Sequence, residues 1–203
     1  MRLFVAATLD PAARDAVAGA IDRARRLQVF PTGSVRWIEP RNLHLTLQFL
    51  GERSADTAAA VAAALGAAGS RPPFRAALGP AGLFPAHGPP RVLWLGIGEG
   101  GAELAVLRQA VGRCLAPLGC PPNGRPYRAH LTVGRLRPGR PPARRALEAE
   151  LGAIVPPPTA WLVDRVVLVE SRLSAAGAEY RIVSEVKLGG PPRPGAESRE
   201  ATC

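Results

Sequence analysis

The chain has 203 residues, 47% apolar and 21% charged, which fits one compact domain or two small lobes and excludes disordered, collagen-like and purely coiled-coil chains. Twenty-six basic residues against sixteen acidic ones give a net charge of +10, which favours a polyanionic partner such as nucleic acid or phosphate, or an anionic membrane surface. All the cations except Lys187 are arginine, a bias that a GC-rich coding sequence would also produce, so functional charge and compositional drift both stay open.

The N-terminal residues predict a strand and then a helix. Leu3–Leu9 is a short apolar run that Asp10 ends, too short for a convincing signal peptide or a membrane span. Pro11 then begins a helix that extends to about Leu27. The three cysteines lie in no CxxC or zinc-type spacing, so we expect a reduced, cytoplasmic protein without membrane association.

The next strand carries the first polar pattern of interest. Leu43–Leu50 alternates in hydrophobicity, and side chains of a strand repeat with period two. The pattern therefore predicts one face with Leu43, Leu45, Leu47 and Phe49, and an opposite face with His44, Thr46 and Gln48.

A helix and a strand pair complete the first half. Ser54 is a suitable N-cap for an alanine-rich helix over Asp56–Ala68. Strands are predicted around Phe74–Leu78 and Gly82–Phe84.

From Arg91 the same order of elements returns. We predict a strand over 91–97, a helix over Gly101–Leu118, a second alternating strand over Tyr127–Leu136, a short helix over Ala143–Leu151 and strands over Val163–Val169 and Tyr180–Leu188. The chain is therefore interpreted as one bilobal domain, 1–188, built from two interleaved copies at about 2–84 and 91–188. The Pro/Gly-rich segment 189–203 is predicted to be a disordered tail.

The tripeptide His-Leu-Thr occurs once in each predicted copy. It begins at His44 and at His130, which are two of only three histidines in the chain. A strand histidine taken alone is more often structural than catalytic. Two copies at matched places in a duplicated unit predict instead a cleft between two imidazoles and two hydroxyls, those of Thr46 and Thr132.

This set of groups suits phosphodiester chemistry. Near neutral pH one imidazole can take a proton from water while the other protonates the leaving oxygen. Threonine hydroxyls can donate hydrogen bonds to the phosphate oxygens, where negative charge develops. No metal or other cofactor is required, and two histidines without a carboxylate cluster make a poor metal site.

The segments RLFVAATL, VRWIEPRNLHLTLQFLGE, PRVLWLGI and AHLTVGRL resemble the two-histidine (2H) phosphoesterase superfamily, in its RNA 2′,3′-cyclic phosphodiesterase (2′–5′ RNA ligase-like) branch. The resemblance covers about residues 2–188. It implies a bilobal α+β fold with pseudo-twofold symmetry, two antiparallel β-sheets lining a central cleft and helices on the outside. It also implies catalytic roles for His44 and His130 and phosphate binding by Thr46 and Thr132, with His44 as the acid and His130 as the base.

Other residues carry weaker signals. Arg135 would suit a phosphate contact, but strict alternation turns it away from His130 unless a bulge intervenes; Arg128, which shares the parity of His130, is a comparable candidate. Trp37 could stack on a base, although packing between the lobes is favoured. His87 is predicted to be an exposed loop residue, and Cys114 a core residue rather than a nucleophile.

The leading hypothesis is metal-independent hydrolysis of RNA 2′,3′-cyclic phosphate ends to 2′-phosphomonoesters. The alternatives are reversible 2′–5′ RNA ligation by the same groups and a non-catalytic nucleotide- or RNA-binding module on the same scaffold. The expected partner is RNA with cyclic phosphate ends, with tRNA halves as candidates. A monomer without an obligate protein partner is expected.

Overall fold

A computed structural model describes residues 1–122, 124, 126–137, 142–174 and 177–189, without the side chains of residues 173, 174 and 177. Within this part of the chain nine strands and four α-helices form: β1 Arg2–Ala7, α1 Pro11–Arg25, β2 Val35–Trp37, β3 Leu45–Glu52, α2 Ala55–Ala64, β4 Phe74–Phe84, β5 Val92–Ile97, α3 Gly101–Leu115, β6 His130–Leu136, α4 Arg144–Glu150, β7 Ala160–Val163, β8 Arg165–Ser174 and β9 Gly177–Lys187. Short 3-10 helices follow α2, α3 and α4.

Strand β1, which lies inside the sheet between β3 and β8, is buried on both faces, which explains its continuous apolar sequence. Leu3 and Val5 belong to the large core that also contains the apolar side of α1. Phe4 and Ala6 face the other way and form a smaller cluster with Val167 and Val169 of β8. The helices therefore cover one face of the sheet, and the other face is left to line a cleft.

The strand order is symmetric about the middle of the sheet. It runs β7-β4-β5-β6-β3-β1-β8-β9, and β2 pairs with β6. The two His-Leu-Thr strands, β3 and β6, are the central neighbours, and they are joined antiparallel at the single register pair Leu45 and Leu131. The predicted α+β class, with two antiparallel half-sheets related by pseudo-twofold symmetry, is confirmed; the half-sheets join into one path through this pair. The boundaries of the two proposed copies stay a prediction.

Several element boundaries differ from the sequence prediction. The two strands expected over 74–84 are one strand, β4, which pairs with both β5 and β7. The short strand β2 was not predicted, and the strand expected over Val163–Val169 begins only at Arg165 and extends to Ser174. Ser54 caps α2 as expected, since its hydroxyl accepts the backbone N–H of Thr57 at 3.2 Å.

The predicted faces of β3 are correct only as far as Leu47. The register between β1 and β3 shifts there, so that Thr46 lies opposite Ala6 while Gln48 lies opposite Val5. Such a bulge inserts one residue and exchanges the faces beyond it. Gln48 is consequently buried, with its amide donating to the Cys120 carbonyl. The prediction that Phe49 and His44 lie on different faces of the strand is therefore wrong, because Phe49 turns to the cleft face and is 63% exposed.

The proposed tail falls almost entirely outside the described residues, which end at Gly189. Among the described residues, no helix has the length and apolar character needed to cross a membrane.

Candidate active site

The two His-Leu-Thr segments meet in one cleft of about 690 Å³. The cleft lies on the helix-free face of the sheet, over the junction of β3 and β6. Its lining includes both histidines and both threonines of the tripeptides: His44, Thr46, His130 and Thr132. The pairing that the sequence predicted is therefore present in space, and the β3–β6 junction is what produces it.

His44 is held by its backbone and by two aromatic rings. Its Nδ1 lies 2.7 Å from the carbonyl oxygen of Asn42, and because a carbonyl only accepts, Nδ1 carries the proton. The ring packs at 4.7 Å from Phe4 and edge-on at 5.3 Å from Tyr180. This arrangement leaves Nε2 as the nitrogen available for proton transfer.

His130 is oriented in the same way on the opposite side of the cleft. Its Nδ1 donates to the Arg128 carbonyl at 2.7 Å. Phe84 packs edge-on at 5.0 Å, and Trp94 lies at 6.3 Å. Both imidazoles thus present Nε2, with their tautomers set by backbone carbonyls two residues upstream.

Both imidazoles are held neutral in the cleft. Burial lowers the pKa of His44 to about 4, against a raising effect of the Asn42 hydrogen bond, and the positive charge of Arg135 lowers it further. Burial also lowers the pKa of His130, and Arg128 and Arg135 add to this. A phosphodiester anion between the rings would raise both pKa values, because a nearby negative charge stabilises imidazolium.

The two threonines differ in their hydrogen bonds. Thr46 Oγ1 lies 3.0 Å from His44 Nε2, and with Nδ1 protonated it is the hydroxyl that donates to Nε2. Thr132 and His130 are both among the described residues, and no hydrogen bond joins the Thr132 hydroxyl to His130 Nε2. The Thr46 backbone carbonyl also accepts the Tyr127 hydroxyl at 3.3 Å.

A bulge brings Arg135 into the cleft. The register between β5 and β6 shifts so that Thr132 lies opposite Trp94 and Gly134 opposite Leu93. The inserted residue restores Arg135 to the face of His130, and Arg135 lines the cleft. Glycine is required at position 134 because a Cβ there would lie 2.7 Å from Val35 of β2. The sequence analysis required a bulge for Arg135 to share the face of His130, and the structure contains that bulge.

Arg128 also lines the cleft, but its guanidinium is stacked on the ring of Trp94. The guanidinium carbon lies 4.2 Å from the centre of the Trp94 ring, a distance typical of a cation–π contact. Phe84 packs on Trp94 as well, at 5.0 Å and with a small interplanar angle. Arg128 thus helps to fix the aromatic wall behind His130.

Sequence reasoning missed several lining residues, which come from segments away from the tripeptides: Phe84, Arg91, Arg108, Tyr127 and Tyr180. Arg108 lies 5.1 Å from the Tyr127 ring centre, and burial raises the pKa of Tyr127 to about 12. No tripeptide pattern marks these positions.

Arg144 at the start of α4 holds the loop that follows Phe84. Its guanidinium donates to the carbonyls of Pro85 at 2.6 Å and Gly88 at 3.2 Å. Because Pro85 and Phe84 line the cleft beside His130, Arg144 supports one wall of the site from outside it.

The remaining candidates lie elsewhere. Trp37 packs edge-on against Phe30 at 5.2 Å, in agreement with a packing role. His87 is exposed in the loop after β4, and Cys114 is half-buried at the end of α3 with its pKa raised by burial. Within the described ranges, no three His, Cys, Asp or Glu side chains cluster in a way that could hold a metal ion.

Comparison with known proteins places this site in a family context. Residues 13–174 match the 2′-5′ RNA ligase superfamily. The RNA 2′,3′-cyclic phosphodiesterase of Aquifex aeolicus is 33% identical over 162 residues, which cover 76% of this chain and 82% of that protein. The protein of the same name from Archaeoglobus fulgidus is 36% identical over 141 residues, covering 70% of this chain and 76% of its own.

Solved structures agree in fold over nearly the whole chain. The protein TT0787 of Thermus thermophilus superposes with a TM-score of 0.73 at 30% identity, covering 94% of this chain and 99% of that one. E. coli LigT complexed with 3′-AMP superposes with a TM-score of 0.70 at 27% identity, covering 93% and 98%.

Proposed function

The chain belongs to the 2′-5′ RNA ligase superfamily, and on that premise we propose that it hydrolyses 2′,3′-cyclic phosphate ends of RNA to 2′-phosphomonoesters. The observation that carries the proposal is the pair of His-Leu-Thr strands, whose histidines line one cleft with Nε2 as the available nitrogen of each. Relatives named RNA 2′,3′-cyclic phosphodiesterase at 32–36% identity support the same reaction.

In the proposed mechanism the histidines divide proton transfer. His130 Nε2 takes a proton from water as the water oxygen attacks phosphorus, and the bond from phosphorus to the ribose O3′ breaks. His44, protonated once the anionic substrate raises its pKa, gives its Nε2 proton to O3′. The 2′-oxygen keeps the phosphate, and the two histidines have exchanged protonation states.

The threonines and Arg135 would stabilise the developing charge. When His44 is protonated, its Nε2 no longer accepts the Thr46 hydroxyl, which frees that hydroxyl hydrogen for a phosphate oxygen while Nε2–H faces O3′. Thr132, with no bond to His130 in the described structure, is free to donate in the same way. The guanidinium of Arg135 adds charge-assisted hydrogen bonds to the same group.

Metal independence is part of the proposal. The two imidazoles supply both proton transfers, and the cleft offers no carboxylate cluster among its described side chains. We also predict a monomeric, cytoplasmic protein without an obligate protein partner.

The family name supports a second direction of the same chemistry. A 5′-hydroxyl of another RNA end in place of water would give a 2′–5′ linkage, with the same proton transfers. Supplying a cyclic-phosphate RNA with and without a 5′-hydroxyl partner would separate the two, since only ligation yields a longer product.

The test of the main proposal is incubation of an RNA ending in a 2′,3′-cyclic phosphate in excess EDTA, with ³¹P NMR of the product. We expect complete conversion to the 2′-phosphate. A 3′-phosphate product, or activity only with an added divalent ion, would overturn the assignment.

A further inference from the structure

A row of arginines leads out of the cleft beside His130. Arg135 on β6 lies directly opposite Arg36 on β2, and residues directly opposite on an antiparallel pair share a face with their Cβ atoms about 5 Å apart. Arg91, which precedes β5, lines the cleft next to them. All three side chains are exposed.

Nothing in the described part of the chain neutralises this row. The ion pairs there involve other arginines: Arg25, Arg75, Arg144, Arg165, Arg172 and Arg181. Like charges directly opposite each other destabilise a sheet. The sequence nevertheless places two guanidiniums at this pair, an arrangement that an anion lying across both would turn into a favourable one.

The position of the row indicates which anion it would bind. Thr132 and Arg135 lie opposite Trp94 and Val92, two residues apart on β5, and a strand rises by about 3.3 Å per residue, so Arg36 and Arg135 lie about 7 Å along the sheet from Thr132. Arg135 can therefore reach toward the reacting phosphate, whereas Arg36 lies outside the cleft lining. The cleft side of His44 offers instead the aromatic rings of Phe4, Phe49 and Tyr180, so among the described residues this row of arginines is a cationic exit on the His130 side.

We propose that Arg36, together with Arg91 and Arg135, forms a second phosphate subsite that binds the phosphodiester one nucleotide 5′ of the cyclic end. This inference rests on the proposed function and deepens it: the preferred substrate is an oligonucleotide end, and a mononucleotide cyclic phosphate lacks one of the bound groups. The subsite recognises charge and carries no base preference, because guanidinium contacts to phosphate are independent of sequence.

The experiment compares two dinucleotides that differ only in backbone charge. One is ApA ending in a 2′,3′-cyclic phosphate, and the other has an uncharged methylphosphonate between the same two nucleosides. For the wild type we expect kcat/KM to be about ten-fold higher on the charged dinucleotide, the scale of one charge-assisted contact. Arg36→Ala should lower this ratio several-fold, because only Arg91 and Arg135 then remain, and Arg36→Lys should lower it less.

The matched control is Arg23→Ala, which removes the same charge from an exposed site on α1. Its ratio should equal that of the wild type, so a fall there would show that net charge alone sets the preference and would overturn the subsite. Equal rates of the wild-type protein on both dinucleotides, or a ratio unchanged in Arg36→Ala, would overturn it as well.

Binding separates failure of the subsite from failure of the proposed function. Calorimetric titration with the two corresponding dinucleotide 2′-phosphates measures the same charge preference without turnover. Absence of turnover on every cyclic phosphate would refute the proposed reaction, while the ratio of the two dissociation constants would still support or refute the subsite.

Discussion

The two sides of the cleft contain the same tripeptide but differ in the residues that follow it. On both β3 and β6 a bulge follows the threonine, so the fifth residue after the histidine turns back to the cleft. That residue is Phe49 on one strand and Arg135 on the other. The β3 side is therefore an aromatic wall around a half-buried imidazole, and the β6 side is cationic.

The two histidines share a tautomer and a lowered pKa, and they differ in the hydrogen bond at Nε2. Both histidines have the same tautomer because each Nδ1 donates to a carbonyl two residues upstream. Burial lowers the pKa of each, and the positive charge of Arg135 lowers both further. Only His44, of the two, has a hydroxyl bonded to its Nε2. The two imidazoles therefore share a tautomer and differ in the groups that bond and surround them, a difference that would suit the proposed acid and base roles.

The largest expected effect is loss of either imidazole. His44→Ala and His130→Ala should each lower kcat on a cyclic-phosphate RNA by about a thousand-fold, within the range of general acid–base catalysis. Circular dichroism should be unchanged, since both side chains are only half-buried. The matched control is His87→Ala in the exposed loop, which should keep wild-type turnover. A substantial rate in either tripeptide variant would argue against the shared site.

The threonines test the asymmetry of hydrogen bonding. Thr46→Val and Thr132→Val keep the side-chain shape and remove the hydroxyl, and each should lower kcat by about a hundred-fold, as for one oxyanion donor. The loss should be larger for Thr46, which also bonds His44 Nε2. Serine at either position should restore much of the rate. An effect on KM alone would contradict a role in the transition state.

Exchange of the fifth residues tests the difference between the walls directly. Arg135→Phe makes the β6 side resemble β3, and it should lower kcat/KM by about thirty-fold through loss of a charge-assisted contact. It should also raise the pKa of both histidines, because the positive charge that disfavours imidazolium is gone. NMR titration of the imidazole C–H signals measures this; unchanged pKa values would contradict the electrostatic coupling.

The pH dependence follows from the two lowered pKa values. The profile of kcat/KM reports the free protein, in which one histidine must be neutral and the other protonated. With the pKa of His44 at about 4 and that of His130 below 6.5, the maximum should lie below pH 6.5. The maximum of kcat should lie higher, because the bound anion raises both values. A kcat/KM maximum above pH 8 would be inconsistent with this pair.

The smallest effect is expected for the outer support of the β6 wall. Arg144→Ala removes the donors to the Pro85 and Gly88 carbonyls and should lower kcat a few-fold, with KM nearly unchanged, by loosening Phe84 against His130. The neighbouring Arg145→Ala is the control. A pH profile of Arg144→Ala identical to that of the wild type would show that the loop does not act through His130.

Most of the fold and the centre of the site could be predicted from the sequence. Alternation and apolar periodicity predicted the strands of both tripeptides, because each has one face buried under helices. The tripeptides could be paired because β3 and β6 occupy equivalent positions in a symmetric strand order.

The bulges were beyond the reach of periodicity. Strict alternation assigns Phe49 to the core and Arg135 to the side away from His130, and one inserted residue on each strand reverses both. Gly134 gave a local hint on β6, whereas nothing in LTLQF marks the bulge at Leu47. The walls contributed by Phe84, Arg91 and Tyr180 depend on long-range strand pairing, which single-sequence patterns do not encode.

The most direct test of the acid–base pair changes the leaving group. The same His44→Ala and His130→Ala variants are assayed on a cyclic-phosphate RNA and on a nucleoside p-nitrophenyl phosphodiester, whose leaving group needs no proton. We predict that both variants fail on the RNA and that only His44→Ala recovers on the nitrophenyl ester, since only the acid has become dispensable. Equal recovery of both variants, recovery of His130→Ala alone, or recovery of neither would contradict the division of roles.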